Sequence, residues 1–319
     1  MKRQWEYCLS GVVLVLLVFP TLGRGEWLCW SSDQGRRIEC SLPDGSLRHD
    51  LVTSDGKPMG LALDSVNGKL FWVERDSERV MSLSLSEPST PTAIAQLPVG
   101  AGLRGMAIAE SIGKIYWAAE NLQTIQRANV DGTNLETLPI AAGSFFDVQV
   151  DDQAGKLYWT DGSQIWKGNL DGTSAAAIIS NTDQPYYLAL DLEAGKIYWT
   201  DFSRNEIGRA NLDGTGREDP GPISGLLDRP VGIILDKQAG KVYWTLEGGT
   251  LLRANLDGTN SEVVHSGLQS PWDITLVASI PVAGIIPAAS TWSLIALSIC
   301  LLCAGTILVF RRQCPPAAV

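Results

Sequence analysis

The chain has 319 residues, 45% hydrophobic and 19% charged, with 32 glycines and 11 tryptophans. Such an apolar, aromatic composition excludes a disordered chain. With only two histidines, His49 and His265, and a net charge of −10, zinc sites, Ser-His-Asp chemistry and nucleic-acid binding are all disfavoured.

Residues 1–25 read as a targeting segment. Lys2 and Arg3 precede an apolar run from Leu9 to Phe19, followed by Pro20 and the small residues Gly23 and Gly25. A basic start, a short apolar stretch and small residues at a cut site describe a secretory signal peptide. An uncleaved anchor is the alternative. Of the six cysteines, Cys8 falls in this leader, and Cys300, Cys303 and Cys314 fall in the C-terminal segment. Only Cys29 and Cys40 remain in the exported body.

The body, 26–277, is a repeat. Gly-Lys-aliphatic-aromatic-Trp occurs five times, ending at Trp72, Trp117, Trp159, Trp199 and Trp244, with a weaker sixth copy ending at Trp30. Successive tryptophans stand 42, 45, 42, 40 and 45 residues apart, the period of a four-stranded propeller blade. Each copy opens on a short apolar run such as Tyr187-Leu188-Ala189-Leu190. A glycine turn and the Trp-bearing strand follow, then a third strand ending in an Asp-Gly turn and a variable fourth strand. The first complete unit begins near Met59, whereas the body begins on a second strand, Glu26 to Trp30. It ends on an isolated first strand, Trp272 to Val277. The spacing therefore predicts an all-β, six-bladed propeller whose last blade takes three strands from the N-terminus and one from the C-terminus.

Tyr-Trp-Thr-Asp stands complete at Tyr158 to Asp161 and at Tyr198 to Asp201. Arg-Ala-Asn-Leu-Asp-Gly-Thr follows at Arg209 to Thr215 and again at Arg253 to Thr259. In these motifs the body resembles the low-density-lipoprotein-receptor class B (YWTD) propellers, over about 250 residues. The resemblance implies that the motif acid is structural, bonding between blades. The chain lacks the cysteine-rich and EGF-like modules of those receptors, so lipoprotein uptake is not implied. Cys29 and Cys40 fall on the second and third strands of the closing blade, 11 residues apart across a hairpin, and are expected to form a disulfide.

Aligning the six copies places Gly60, Gly105, Asp147, Tyr187, Gly232 and Asp273 at one position near the start of each first strand. Asp147 and Asp273 stand out, and six-fold symmetry sets them opposite each other across the channel. The preceding position reads Met59, Arg104, Phe146, Tyr186, Val231 and Trp272. Arg104, Phe146, Asp147, Tyr186, Tyr187, Trp272 and Asp273 are the candidate ligand-binding residues. Arg104 and the aromatics are expected to be exposed on one rim, the composition of a protein-binding hot spot. The alternative is that the aromatics pack the channel mouth. Every copy also supplies an acid just after the motif tryptophan: Asp33, Glu74, Glu120, Asp161, Asp201 and Glu247. Setting aside Lys2, Arg3, Glu6, Arg24, Arg311 and Arg312, the body holds 20 basic and 34 acidic residues, a net of −14. A cationic ligand or a bound cation would suit such a rim.

Beyond a linker at 278–287, Ala288 to Phe310 gives 23 mostly apolar residues, about 34 Å as a helix. Arg311 and Arg312 stop it on the cytoplasmic side, and 311–319 form the tail. Ile286-Pro287, Ser290-Thr291-Trp292, the apolar run and the two arginines together resemble the bacterial PEP-CTERM envelope-sorting signal in its Ile-Pro variant. That resemblance implies processing by a sorting protease; a plain transmembrane anchor is the alternative. The expected protein is a non-enzymatic binding module of the cell envelope, tethered by one span, without cofactor or metal. Its ligand would be an extracellular protein or a glycan. The alternatives are a purely structural envelope component and a metal-dependent, lactonase-like hydrolase with Asp147 and Asp273 as ligands.

Overall fold

A blade is covered on both faces by its neighbours, so its strands must be apolar on both sides, and they are. The computed structural model describes residues 26–86, 90–141, 143–218, 221–278 and 280. The expected leader, transmembrane helix and tail lie outside them. Among the described residues no helix is long and apolar enough to cross a membrane.

Six antiparallel sheets form the ring. Blade 1 runs from Pro58–Asp64 to Thr92–Gln96, blade 2 from Leu103–Ala109 to Glu136–Thr137, and blade 3 from Val148–Asp151 to Ala176–Ile179. Blade 4 holds Pro185–Asp191, Lys196–Asp201 and Glu206–Asn211, and blade 5 runs from Pro230–Asp236 to Glu262–His265. Blade 6 joins the two chain ends: Pro271–Val277 pairs with Trp27–Ser32, which continues into Arg37–Ser41 and His49–Thr53. The predicted six-fold closure is the observed one. Among the described residues blade 4 departs from the repeat, with a single bridge between Ile207 and Ile223 in place of a fourth strand.

Apolar burial between blades supplies most of the stabilisation. The six motif tryptophans are at most 1% exposed. Polar contacts then set the angle between blades. In blades 3, 4 and 5 the motif threonine accepts from the first strand of its own blade and donates to the next. Thr160 Oγ1 accepts from Asp147 N–H and donates to Tyr186 O, Thr200 links Tyr187 to Val231, and Thr245 links Gly232 to Trp272. At the outer side Arg127, Arg209 and Arg253 donate to Leu170, Leu256 and Pro43 carbonyls of the following blade at 2.8–2.9 Å. These contacts make the Arg-Ala-Asn-Leu-Asp-Gly-Thr segment a latch.

Both histidines are structural. His265 packs on Trp30 and meets Ser41 Oγ at 2.9 Å, and His49 sets its edge against Trp27. Cys29 and Cys40 are paired directly across the second and third strands of blade 6, as expected, with Sγ–Sγ 2.05 Å. Replacing both cysteines by alanine removes a short closed loop from the unfolded state. Chemical denaturation of the oxidised protein should show a loss of about 2–3 kcal/mol.

One polar position varies from blade to blade. Trp30 and Trp117 donate their indole N–H to Glu39 and Gln126, the residues directly across the sheet. Trp72, Trp199 and Trp244 face Met81, Gly208 and Leu252 there, and their indole nitrogens have no partner. A buried donor left unpaired costs more than a net hydrogen bond returns. Leu252→Gln should therefore raise stability by about 1 kcal/mol, read by denaturant unfolding at constant slope.

Candidate functional site

The ring gathers the candidate residues at its axis. Near the start of each first strand the walls approach most closely, and Gly105 shows how closely. A Cβ placed there would lie 2.0 Å from Asp147 Oδ1, so no other residue fits. Gly60 and Gly232 would meet the backbone of the next blade in the same way.

Around this ring the aromatics form a plug. Phe146 and Tyr186 stack at 4.4 Å, Phe202 stacks on the other side of Tyr186 at 5.0 Å, and Trp272 lies 6.0 Å from Tyr186. Arg104 sits among them, its guanidinium 5.7 Å from Phe146, 5.9 Å from Tyr186 and 5.2 Å from Trp272. Glu120 holds that guanidinium in place, accepting from Nε at 2.8 Å and lying 2.7 Å from Nη2. Cation–π attraction is largest where water is excluded, as it is here.

The exposure expected for these side chains is not found. Arg104, Phe146 and Tyr186 are 5–7% exposed and Trp272 is 9%. Side chains from four blades converge on an axis too narrow to leave them apart, and stacking buries them. Phe202 is the member that sequence alignment overlooked. Its signal was there, an aromatic directly after Thr200-Asp201 where the other copies carry glutamine, arginine, asparagine or glycine after their acid.

The acids that follow the motif tryptophans do not form a free negative rim either. Asp201 is fully buried and accepts from the backbone N–H groups of Asp183, Gln184 and Arg204. Asp161 caps its own turn and takes the Trp166 indole N–H at 2.7 Å. Glu74 accepts from Ser54, Ser77 and Arg79; burial alone would raise its pKa, but these bonds hold it below the usual carboxylate value. Asp33, Glu120 and Glu247 are paired with Lys57, Arg104 and Arg229. All six are engaged in shaping loops.

Beneath the plug lie Asp147, Tyr187 and Asp273, all at most 5% exposed. Asp147 Oδ2 accepts the Leu188 N–H of blade 4 at 2.9 Å, and Asp273 Oδ2 accepts the Leu61 N–H of blade 1 at 2.7 Å. Each carboxyl thus ties two blades together. Asp147 Oδ1, the Tyr187 hydroxyl and Arg104 Nη1 have no hydrogen-bond partner. Burial pushes Asp147 up to about 7. Burial, and then the charge of Asp147, raise Asp273 well above the carboxylate range. From the far end of the first strands a cavity of about 190 Å³ leads inward to Asp273. Leu61, Met106, Ile233, Thr275 and Gln149 are among the residues lining it, and the Gln149 amide donates to Asp147. Among the described residues no group of three or more His, Cys, Asp or Glu side chains is placed to hold a metal ion. Asp147 and Asp273 lie close enough to interact, yet by themselves they are too few for the hydrolase-type metal site.

A carboxyl whose pKa is raised by folding adds stability below the ordinary carboxylate range and loses it as pH rises through the folded value. For Asp147 that loss extends through about pH 7. Asp147→Asn keeps an acceptor for Leu188 but has no charge to bury. Relative to the wild type it should gain on the order of 1–3 kcal/mol between acid pH and pH 8. Paired melts across that range check the sign.

No family model matches the chain. Protein cueball of Drosophila sechellia is 28% identical over 135 residues, covering 36% of this chain and 20% of that protein. Low-density lipoprotein receptor-related protein 1 of Pyricularia oryzae is 27% identical over 150 residues, covering 41% of this chain and 48% of that protein. The chain thus spans a fifth to about half of the length of these curated relatives. Among solved structures, a nidogen/laminin complex superposes with a TM-score of 0.70 at 20% identity, over 79% of this chain and 98% of that one. A streptogramin B lyase superposes with a TM-score of 0.59 at 18% identity, over 79% and 87%. At these identities the structural likenesses establish the fold. The chain is a six-bladed β-propeller, and it carries repeated Tyr-Trp-Thr-Asp motifs.

Proposed function

We propose that the chain is an exported, membrane-tethered, non-enzymatic module that binds an extracellular protein on the face bearing the aromatic plug. The observation that carries this reading is what stands exposed on that face. Val99, in the loop entering blade 2, is 99% exposed, and Leu227, in the loop entering blade 5, is 103% exposed. Blades 2 and 5 stand opposite each other in the ring, so two apolar tips flank the plug. Between them Phe202 is partly exposed, with the Arg229 guanidinium 4.9 Å above its ring. Apolar tips beside an aromatic–arginine pair have the make-up of an interface core.

Two further points support it. The motif acids are engaged in the scaffold, which leaves the loops of this face to carry recognition. One of the superposing structures comes from a nidogen/laminin complex, an association between two proteins. A protein partner is favoured over a glycan because the exposed tips are aliphatic. The leader and the apolar C-terminal segment support export and tethering to the cell envelope.

Trp272 belongs to the plug and is buried with it. Trp272→Ala should cost about 3–5 kcal/mol in folding. The binding test uses the double variant Val99→Glu/Leu227→Glu, whose side chains touch no core and should leave the melting temperature unchanged. Full-length wild type, this variant and an opposite-face variant, Asp131→Lys/Asp257→Lys, are compared on intact native envelope. Specific retention lost only in the Val99/Leu227 variant supports the reading. Equal retention of all three, or loss only from the opposite face, overturns it.

A further inference from the structure

We infer that a second cavity, between blades 2 and 3, binds the quaternary ammonium head of a small molecule. The inference uses none of the exposed loop residues argued to bind a protein, so the two stand or fall separately.

The cavity sits where two blades depart from the repeat. The fourth strand of blade 2 is only two residues long, Glu136–Thr137, against four or five in blades 1, 3, 5 and 6. Past its end, Ile140, Ala141 and Gly143 border a hollow of about 190 Å³. Blade 3 supplies the other wall. Across the sheet from its motif tryptophan stands Trp166, where the other blades carry Glu39, Met81, Gln126, Gly208 and Leu252. Trp166 lies parallel to Trp159, with ring centroids 6.3 Å apart and planes within 5°. Phe145 adds a third aromatic ring to the lining. Trp159 and Phe145 are buried, and Trp166 is partly exposed.

Asp161 is the only charged side chain in this lining. Its Oδ1 accepts from the Ser163 N–H, the Ser163 hydroxyl and the Gln164 N–H, and its Oδ2 accepts from the Trp166 indole at 2.7 Å. All four donors are neutral, so none of them offsets the carboxylate charge. A carboxylate has about four lone-pair sites, and these bonds occupy them. The cavity therefore presents a negative charge beside aromatic rings, with no side-chain acceptor left free.

That combination selects among ligands. A primary ammonium or a guanidinium brings N–H donors that would be left unpaired. A sugar brings hydroxyls with the same cost. Calcium and magnesium need free oxygen lone pairs. A quaternary ammonium needs none: its charge is covered by methyl groups, it has no donor to satisfy, and aromatic rings attract it. Size agrees, since an apolar cavity of ~150 Å³ takes up benzene and this one measures about 190 Å³. The head can come from a free solute or from the choline headgroup of a lipid, and the chemistry at the rings is the same.

The test melts the full-length chain in a maltoside detergent, with sodium chloride at equal concentration as the reference. Choline should raise the midpoint saturably. Ethanolamine, and the alcohol in which carbon replaces the choline nitrogen, should need at least about tenfold more. Asp161→Asn keeps an acceptor for Ser163 and Gln164 but removes the charge, and should erase the preference for choline over the carbon analogue. Ala175→Trp fills the cavity from an exposed position, leaves Asp161 and the three rings intact, and should abolish the response. It decides the matter if Asp161→Asn fails to fold. A stronger response to choline than to phosphocholine assigns the site to a free solute, and the reverse order assigns it to a lipid headgroup. A cooperative wild-type melt that neither compound shifts overturns the proposal. So does an equal response to the carbon analogue, or a choline shift that Ala175→Trp leaves unchanged.

Discussion

Every other feature of this molecule depends on one strand pairing. Pro271–Val277 lies antiparallel to Trp27–Ser32, matching Trp27 with Val277 and Trp30 with Ile274 across more than 240 residues of chain. Without that pairing the six sheets form an open stack with an exposed edge at each end, a template for aggregation. With it they form a ring, and a ring has an axis. The loop-closure entropy is large but grows only slowly with length, so one well-packed strand with Trp30 fully buried suffices to hold it. The cysteine pair lies in the same blade, one strand further out, where it reinforces the closure.

Closing the ring brings the inner strands into a crowded axis, and the residues there divide into two groups. Glycines at 60, 105 and 232 let neighbouring backbones touch. Where glycine is replaced, Asp147 and Asp273 use the added atoms to bind the N–H groups of the next blade. A carboxyl that ties two blades carries a cost, because it is buried without a counter-charge. The scaffold tolerates this at two of six positions, on opposite sides of the ring. Buried polarity is thereby concentrated at two of the six equivalent positions.

The plug and the cavity divide the channel into two unlike ends. On one side Arg104 and four aromatic rings pack together, and the exposed groups are loop tips. On the other, a largely aliphatic cavity runs inward to Asp273.

The tryptophan period and the Asp-Gly turns were enough to read the blade, the count of six and the shared closing blade, because these follow from local alternation and from the number of parts. The equivalence of Gly60, Gly105, Asp147, Tyr187, Gly232 and Asp273 was also legible, since a repeat aligns with itself. Burial was not. Whether Arg104 and Trp272 face solvent depends on how near the opposite wall stands, and that distance is set by blade tilt and by side chains from other blades. The same holds for the motif acids, whose partners Lys57, Arg104 and Arg229 come from other strands and loops. Phe202 joined the plug for a like reason, because only the folded loop lays it on Tyr186. The fourth strand of blade 4 was expected from the repeat and is reduced to one bridge, at a segment where no tryptophan marks the register. Local pattern determined the ring; contacts between residues distant in sequence decided what lies at its centre.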